Sequence, residues 1–190
     1  MDLNRYIKVF DKAIDPETVS SIIKWSNTLG FKESGVSEKN IINKEIRDVS
    51  EFCITDISNP SKTRVHWRNF LTFLIKNHIV QYEQELCPEI KTSVTGIGEI
   101  SILKYSKGGH YKFHTDAFVS SPRILSCILM LNNDYEGGIL EFSDPELKNI
   151  YMAVKPEAGR LIIWPSNFMY PHRVTPITKG IRFSTVAWAY

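Results

Sequence analysis

Residues 108–118, GGHYKFHTDAF, place three side chains that bind metals in proteins, His110, His114 and Asp116, within seven positions. A helix would put His110 and His114 on one face, at the i, i+4 spacing of zinc-binding helices. The preceding glycine pair and the interleaved aromatic residues favour an extended chain instead. In a strand, side chains two positions apart project from the same face. We therefore predict that His114 and Asp116 form a ligand pair, with His110 too far along the strand to bind the same ion.

Two ligands bind a metal poorly, so a third must come from elsewhere in the chain. His66 and His78 fall inside a predicted helix, where a packed or solvated histidine is the ordinary interpretation. His172 lies in the β-type run YPHRVTP, and antiparallel folding can bring it beside the pair. Two histidines and one carboxylate leave one side of an ion open, as in the facial triad of non-haem Fe(II) oxygenases. A histidine and an aspartate separated by one residue occur in many proteins by chance. The hypothesis of a metal site therefore needs further support from the residues around His172.

An arginine follows His172 by ten positions, across the turn-like segment ITKG. If the register is kept, alternate residues of the next run face the same interior as His172. These residues are Arg182, Ser184, Val186 and Trp188. A guanidinium inside an apolar β cavity is costly unless it meets an anion. A small dicarboxylate would supply one, with its far carboxylate on Arg182 and its other end at the metal.

Two helices precede the β-type runs. The first opens at DPETVSSIIKW, where Asp15 can cap the helix and Pro16 suits its first position. The second is predicted from about Thr63 to Leu86 and is stopped by Pro88. The polar segment at about 34–52 lacks clear periodicity. We interpret it as a long loop of the kind that forms lids, and leave open whether it closes over a substrate.

From about residue 91 the chain becomes a series of short apolar and aromatic runs separated by Gly, Pro, Asn and Asp. No helical pattern of crossover length divides them, which disfavours a parallel α/β sheet and favours an antiparallel sandwich or barrel such as a jelly roll. We predict a mainly β protein of one domain, residues 1–190. Its helical N-terminal support covers about 1–90 and its β core about 91–190.

Composition excludes several function classes. Net charge is +2, from 23 basic and 21 acidic residues, which does not indicate binding to nucleic acid or to an acidic membrane. Cys53, Cys87 and Cys127 suit neither a disulfide framework nor a zinc site, so we expect buried, reduced thiols. The N-terminus lacks the apolar core of a signal peptide, and no apolar run reaches membrane-spanning length. We expect a cytoplasmic protein.

Four segments resemble the 2-oxoglutarate- and Fe(II)-dependent dioxygenases, and specifically their prolyl 4-hydroxylase branch. The segments are YSKGGHYKFHTD, RILSCILMLNNDYEGGILEF, KPEAGRLIIWPS and PHRVTPITKGIRFSTVAW. They span about residues 100–190, in the order and near the spacing of the family. The resemblance implies a double-stranded β-helix, a jelly-roll core, with N-terminal helices packed on one sheet.

The resemblance also implies roles for individual residues. His114, Asp116 and His172 match the iron ligands, and Arg182 matches the basic residue that holds the C5 carboxylate of 2-oxoglutarate. Together these four form the implied catalytic set.

Three further positions match the cosubstrate site of the family. Tyr105 matches a tyrosine that hydrogen-bonds 2-oxoglutarate, and Leu140 aligns with an apolar residue along its chain. Met130 stands where many relatives have tyrosine, and Leu140 where collagen-type members have threonine. Because of these two departures, the resemblance does not identify the substrate.

Four positions match the substrate side of the site. Tyr111, Arg123 and Trp188 fall where the family lines the mouth of the cavity, and we expect Arg123 and Trp188 to contact substrate. Arg47, in EIRDVS, resembles an arginine of the substrate-side loop.

The implied activity couples O2 and 2-oxoglutarate decarboxylation to hydroxylation of a proline in a peptide or protein, with Fe(II) as cofactor and ascorbate as a further possible requirement. Two alternatives remain open. One is a dioxygenase of the same class acting on another side chain, a free amino acid or a small metabolite. The other is a non-catalytic jelly-roll binding module. Neither the carbon oxidised nor the oligomeric state follows from the sequence.

Overall fold

Two antiparallel β-sheets face each other, and two helices cover the outer side of the larger sheet. The computed structural model describes residues 2–36, 41–56, 58, 61–86, 94–120 and 122–190. The helices are α1 (Pro16–Ser26) and α2 (Lys62–Leu86), and a 3-10 helix covers Leu3–Tyr6. The strands are β1 (Lys8–Phe10), β2 (Lys32–Glu33), β3 (Arg47–Asp48), β4 (Ser50–Cys53), β5 (Ile97–Tyr105), β6 (His110–His114), β7 (Leu125–Met130), β8 (Glu136–Gly137), β9 (Leu140–Ser143), β10 (Ile150–Val154), β11 (Leu161–Pro165), β12 (His172–Val174), β13 (Ile177–Lys179) and β14 (Arg182–Ala189).

The strand order is that of a jelly roll. The larger sheet runs β1-β11-β7-β14-β5-β4-β2 and the smaller runs β10-β9-β12-β6-β3, while β8 and β13 form a two-stranded ribbon. Every recorded strand pair in the described residues is antiparallel. The predicted fold class, a mainly β jelly roll with helices packed on one sheet, is confirmed.

The larger sheet is buried on both faces, and this explains why its strands read as continuous apolar runs. On β5, Ile100 and Ile102 join the cluster beneath the helices, whereas Leu103 and Tyr105 join the cluster between the two sheets. All six residues of β7 and all eight of β14 are buried. Polar residues of β14 that face the second cluster are therefore enclosed by the fold.

The first helix begins as its sequence predicts. The Asp15 side chain accepts hydrogen bonds from the amide of Thr18 at 2.8 Å and from its hydroxyl at 2.6 Å, and Pro16 occupies the first turn. The second helix matches its predicted range to within one residue at its start. Its buried residues lie on one face and are Trp67, Leu71, Ile75, Ile79 and Tyr82. Pro88, expected to stop this helix, lies outside the described residues.

The N-terminal half is less purely helical than predicted. Four short strands, β1 to β4, precede residue 90, and two of them lie within the segment interpreted as a long loop. That segment shows no periodicity of its own because its strands are held by neighbours distant in sequence: β3 pairs with β6, and β4 with β5. Residues 37–40 of the same segment lie outside the described residues.

The cysteine prediction holds for Cys127, which is buried and free. Cys53 is also free but only half-buried, and Cys87 lies outside the described residues. Among the described residues, no helix has the length and apolar character needed to cross a membrane.

Leu71 anchors α2 to the larger sheet and has no exposed surface, whereas Phe73 on the same helix is 68% exposed. We expect Leu71→Ala to lower the free energy of unfolding by about 2–5 kcal/mol, because a buried leucine side chain is replaced by a cavity. Phe73→Ala serves as the matched control and should change it by no more than about 0.5 kcal/mol. Urea denaturation followed by circular dichroism measures both. Equal losses would mean that α2 is not packed on the sheet through this face.

Candidate metal centre

Two strands of the smaller sheet bring His114 and His172 together. His172 on β12 pairs directly with His114 at the end of β6, and their ring centroids are 4.2 Å apart. Asp116 lies just beyond β6, with Oδ1 3.6 Å from Nε2 of His114 and Oδ2 3.5 Å from Nε2 of His172. One ligand atom from each of the three residues lies within 4.8 Å of the other two. The structure thus places the three predicted ligands in one cluster.

Each imidazole is oriented so that Nε2 points at the cluster. Nδ1 of His114 lies 2.8 Å from the carbonyl of Lys112, and Nδ1 of His172 lies 3.2 Å from the carbonyl of Tyr170. A carbonyl only accepts, so Nδ1 carries the proton in both rings and Nε2 keeps a free lone pair. This is the tautomer that binds a metal through Nε2.

The electrostatics favour a neutral His114 beside an ionised Asp116. Burial, followed by repulsion from His172, lowers the pKa of His114 well below its ordinary value. Burial alone would raise the pKa of Asp116, but His172, His114 and a hydrogen bond from Ser126 outweigh it and hold that pKa below its ordinary value. Near neutral pH His114 therefore offers an uncharged nitrogen and Asp116 an anionic oxygen, and this type of donor set, completed by the imidazole of His172, fits a divalent transition metal.

Aromatic side chains surround the cluster. Tyr111 stacks on His114 with centroids 3.5 Å apart, and the Trp164 ring meets His172 edge-on at 4.9 Å. Phe142 packs against both Trp164 and His172. Tyr111 is itself so enclosed that burial raises its pKa to about 12. These rings fix the imidazoles in place and exclude water from one side of the cluster.

Arg182 is completely buried, and none of its three guanidinium nitrogens has a hydrogen-bond partner among the described residues. It begins β14 directly opposite Tyr105 on β5, whose ring lies 4.9 Å from the guanidinium carbon. A buried cation with unpaired donors is costly unless an anion compensates its charge. The site therefore presents a buried guanidinium inside the same interior as the metal ligands.

Two further buried hydroxyls, those of Ser184 and Tyr135, lie on the same side of the interior as Arg182, and the sequence prediction assigned a role to neither. The Oγ of Ser184 is unpartnered among the described residues, two positions along the same strand face as Arg182. Burial raises the pKa of the Tyr135 hydroxyl, and the neighbouring Arg182 guanidinium opposes the rise. Ser184 was detectable from its alternation with Arg182. Tyr135 was not, because it lies in the connection between β7 and β8.

Met130 and Leu140 both lie in this interior without exposed surface. Met130 on β7 is opposite Ser184 on β14, so a hydroxyl stands beside the position where many relatives carry tyrosine. Gly138, just before Leu140, has φ +61°, and a Cβ there would lie 2.4 Å from Ile177 Cδ1 and 3.1 Å from Arg182 Cδ. The glycine therefore allows the chain to close tightly over the guanidinium.

The four predicted substrate-side residues form two stacked pairs, and three of them, Arg47, Tyr111 and Trp188, line the cavity that contains the metal ligands. The guanidinium carbon of Arg47 is 4.8 Å from the Tyr111 ring centroid, and these two residues pair between β3 and β6. The guanidinium carbon of Arg123 is 3.6 Å from the Trp188 ring centroid. Arg123 also donates to the backbone carbonyl of Asp116 at 3.2 Å. The Nε of Arg47 is buried and has no hydrogen-bond partner among the described residues.

The remaining histidines are elsewhere. His110 contacts the carbonyls of Gly108 and Glu45, and His78 contacts the carbonyl of Leu74 within α2. His66 packs edge-on against Trp67. Because HYKFH is strand β6 and not a helix, the alternative of a zinc-binding helix is wrong.

Residues 100–190 match the family model of the 2OG-Fe(II) oxygenase superfamily. The matched segment contains the three clustered residues His114, Asp116 and His172. Human prolyl 3-hydroxylase 2 is 36% identical to the chain over 66 residues, which cover 35% of this chain and 9% of that protein. The chain spans less than half the length of the first curated relatives it matches.

Solved prolyl hydroxylases share the whole fold. A prolyl hydroxylase from Trichoplax adhaerens, in complex with a peptide of the oxygen degradation domain of hypoxia inducible factor, superposes with a TM-score of 0.78 at 18% identity, covering 99% of this chain and 85% of that one. A prolyl-4-hydroxylase from Pseudomonas putida superposes with a TM-score of 0.72 at 19% identity, covering 97% and 92%. The resemblance inferred from the sequence is confirmed.

We expect His172→Ala to abolish tight binding of a divalent metal, because two remaining ligands cannot hold an ion with an open face. The loss in affinity should exceed the roughly 10–100-fold that follows removal of an outer hydrogen bond to a metal ligand. Calorimetric titration with Co(II), or with Fe(II) under anaerobic conditions, measures it. His110→Ala is the matched control and should leave the affinity unchanged. Equal losses for the two variants would contradict the cluster described above.

Proposed function

We propose that this protein is an Fe(II)- and 2-oxoglutarate-dependent dioxygenase, most simply a prolyl 4-hydroxylase acting on a proline within a peptide or protein. The observation that supports it best is the presence, in one interior, of a three-residue metal cluster and a buried guanidinium whose nitrogens have no hydrogen-bond partner among the described residues. A metal site alone would fit many functions. The unpaired cation narrows the choice to a reaction that uses an anionic cosubstrate.

In this proposal His114, Asp116 and His172 hold Fe(II) on one side, which leaves positions open for a cosubstrate and O2. When bound, the iron and 2-oxoglutarate supply the oxidising chemistry, which yields succinate and CO2 and inserts one oxygen atom into the substrate. The protein's own residues orient the ligands, hold the cosubstrate and exclude water. Ascorbate would serve to keep the metal reduced.

Arg182 would hold the far carboxylate of 2-oxoglutarate by paired hydrogen bonds. Tyr105, Ser184 and Tyr135 would surround that carboxylate with hydroxyl donors, and Ser184 would supply a hydrogen bond that tyrosine supplies in many relatives and Met130 cannot. Leu140 would line the carbon chain. The fit is chemical: a buried cation and buried hydroxyls without partners require an anion of small size.

Tyr111, Arg123, Trp188 and Arg47 would form the substrate side. The unpaired Nε of Arg47 is a buried donor that requires an acceptor, and a peptide carbonyl would supply one. Arg123 already donates a hydrogen bond to the Asp116 backbone carbonyl and stacks on Trp188. Its role would therefore be to define the shape of the cavity entrance, and not to bind a charged group of the substrate. A peptide substrate also agrees with the peptide complex of the structurally similar Trichoplax protein.

We expect Arg182→Ala to raise the KM for 2-oxoglutarate by on the order of 100-fold, because truncating one partner of a buried charge pair costs several kcal/mol. Affinity for Co(II) should change little, since Arg182 does not contact the ligands. Succinate production at varied 2-oxoglutarate gives the KM, and calorimetry gives the metal affinity. Arg173→Ala is the control, because Arg173 is paired with Glu141 and stacks on Phe113. An unchanged KM in Arg182→Ala would show that the cosubstrate binds elsewhere.

We expect the purified protein with Fe(II), O2 and 2-oxoglutarate to form succinate and to add one oxygen atom to a proline-containing peptide. Mass spectrometry of a peptide library, run beside free amino acids and small carboxylic acids, identifies the substrate class. Separation of 4- and 3-hydroxyproline after hydrolysis identifies the carbon. Oxidation of a free amino acid or metabolite alone would favour the alternative dioxygenase. Metal binding without succinate formation on any substrate would favour a binding module.

A further inference from the structure

Two buried serines connect the metal cluster to the strands behind it. Ser126 on β7 has no exposed surface, and its hydroxyl lies 2.7 Å from Asp116 Oδ2. Ser166, just after β11, is 1% exposed, and its hydroxyl lies 2.7 Å from that of Ser126. A carboxylate only accepts, so the Ser126 proton goes to Asp116 and the proton between the two hydroxyls must come from Ser166. The direction of both hydrogen bonds is thereby fixed.

The two bonds distinguish the oxygens of Asp116. Oδ2 accepts a hydrogen bond from Ser126 and lies 3.5 Å from Nε2 of His172, whereas Oδ1 lies 3.6 Å from Nε2 of His114 and is not bonded by either serine. A metal held between the imidazoles would therefore meet one oxygen that Ser126 engages and one that the two serines leave free. Binding through Oδ1 alone keeps a coordination position open that binding through both oxygens would fill.

The surroundings make this chain of hydrogen bonds rigid. Ser126 pairs with Trp164 on β11 and with Trp188 on β14, so an indole lies on each side of its strand position. Ser166 accepts a backbone hydrogen bond from Ala117, the residue after Asp116, at 3.0 Å. The hydroxyl chain and the backbone thus fix the carboxylate from two directions in a water-poor environment, where hydrogen bonds to a charged group are strongest.

We infer that Ser126 and Ser166 are positioning residues. Ser166 orients Ser126, and Ser126 orients the Asp116 carboxylate so that it binds a metal through one oxygen only. The inference rests on the proposed function. It assigns to these serines neither contact with substrate nor contact with the metal. Their effect passes entirely through Asp116.

The test is a double-mutant cycle on the intact protein, with Co(II) as the probe metal and calorimetry as the readout. Ser126→Ala should weaken Co(II) binding by about 10–100-fold, the range typical for loss of an outer hydrogen bond to a metal ligand. Ser166→Ala should weaken it by a smaller factor. The double variant should be no weaker than Ser126→Ala, because Ser166 acts only through Ser126. The visible absorption spectrum of bound Co(II) should change in Ser126→Ala, since both carboxylate oxygens become free to bind.

Ser26→Ala is the matched control. Ser26 is equally buried and also donates its hydroxyl proton, but to the Ile22 carbonyl within α1. It should leave Co(II) affinity and the spectrum unchanged, and thermal unfolding of the metal-free proteins shows whether the variants keep the fold. If Ser126→Ala does not fold, Ser166→Ala still has to weaken binding.

Three results would contradict this role of the two serines. They are Co(II) affinities of both single variants within a factor of about two of the unmodified protein, additive losses of affinity in the double variant, or an equal loss of affinity in Ser26→Ala. Failure of the unmodified protein to bind Co(II) would instead refute the metal site on which the proposed function itself rests. The two failures are therefore distinguishable.

Discussion

The pairing of β12 with β6 is the interaction on which the site depends. It sets His172 opposite His114. Between His172 and Val174 the register shifts by one residue, so that Val174 lies opposite Tyr111, and the Tyr111 side chain faces the cavity. In a regular strand, residues 111 and 114 would face opposite sides. The shift lets one short strand supply both a ligand and the ring that stacks on it, and it separates His110 from the cluster. A one-residue change in the register between β6 and β12 would turn His114 away from the cluster and would also expose the Tyr111 ring to solvent.

Burial of the larger sheet on both faces sets the electrostatic character of the interior. Because α1 and α2 cover the outer face, every residue of β7 and β14 is enclosed, and polar groups on the inner face cannot reach bulk water. The side-chain nitrogens of Arg182 and the hydroxyl of Ser184 have no hydrogen-bond partner among the described residues, and Ser126 is hydrogen-bonded to Asp116. The helices contribute no ligand of the cluster. Their contribution is to exclude water from the larger sheet, which strengthens the charged interactions between the two sheets.

The sequence predicted the elements whose signals are local. The cap and proline of α1 and the alternation along β14 depend on neighbouring residues, and the structure agrees with them. The segment at 34–52 was misjudged because Arg47 and Ser50 become strand residues only through partners on β6 and β5. Tyr135 and Ser166 had no local pattern either. Each acquires its place from a residue tens of positions away, so no periodicity could mark it.

The sequence by itself determined the ligand types, the alternation that turns Arg182 inward, and the resemblance of residues 100–190 to a known superfamily, since these depend on residue identity and order. Tertiary structure alone decided which oxygen of Asp116 is already engaged, which histidine nitrogens carry protons, and which arginine lacks a partner. These properties depend on contacts between strands that are distant in the chain, where a change of a single ångström makes or removes a hydrogen bond.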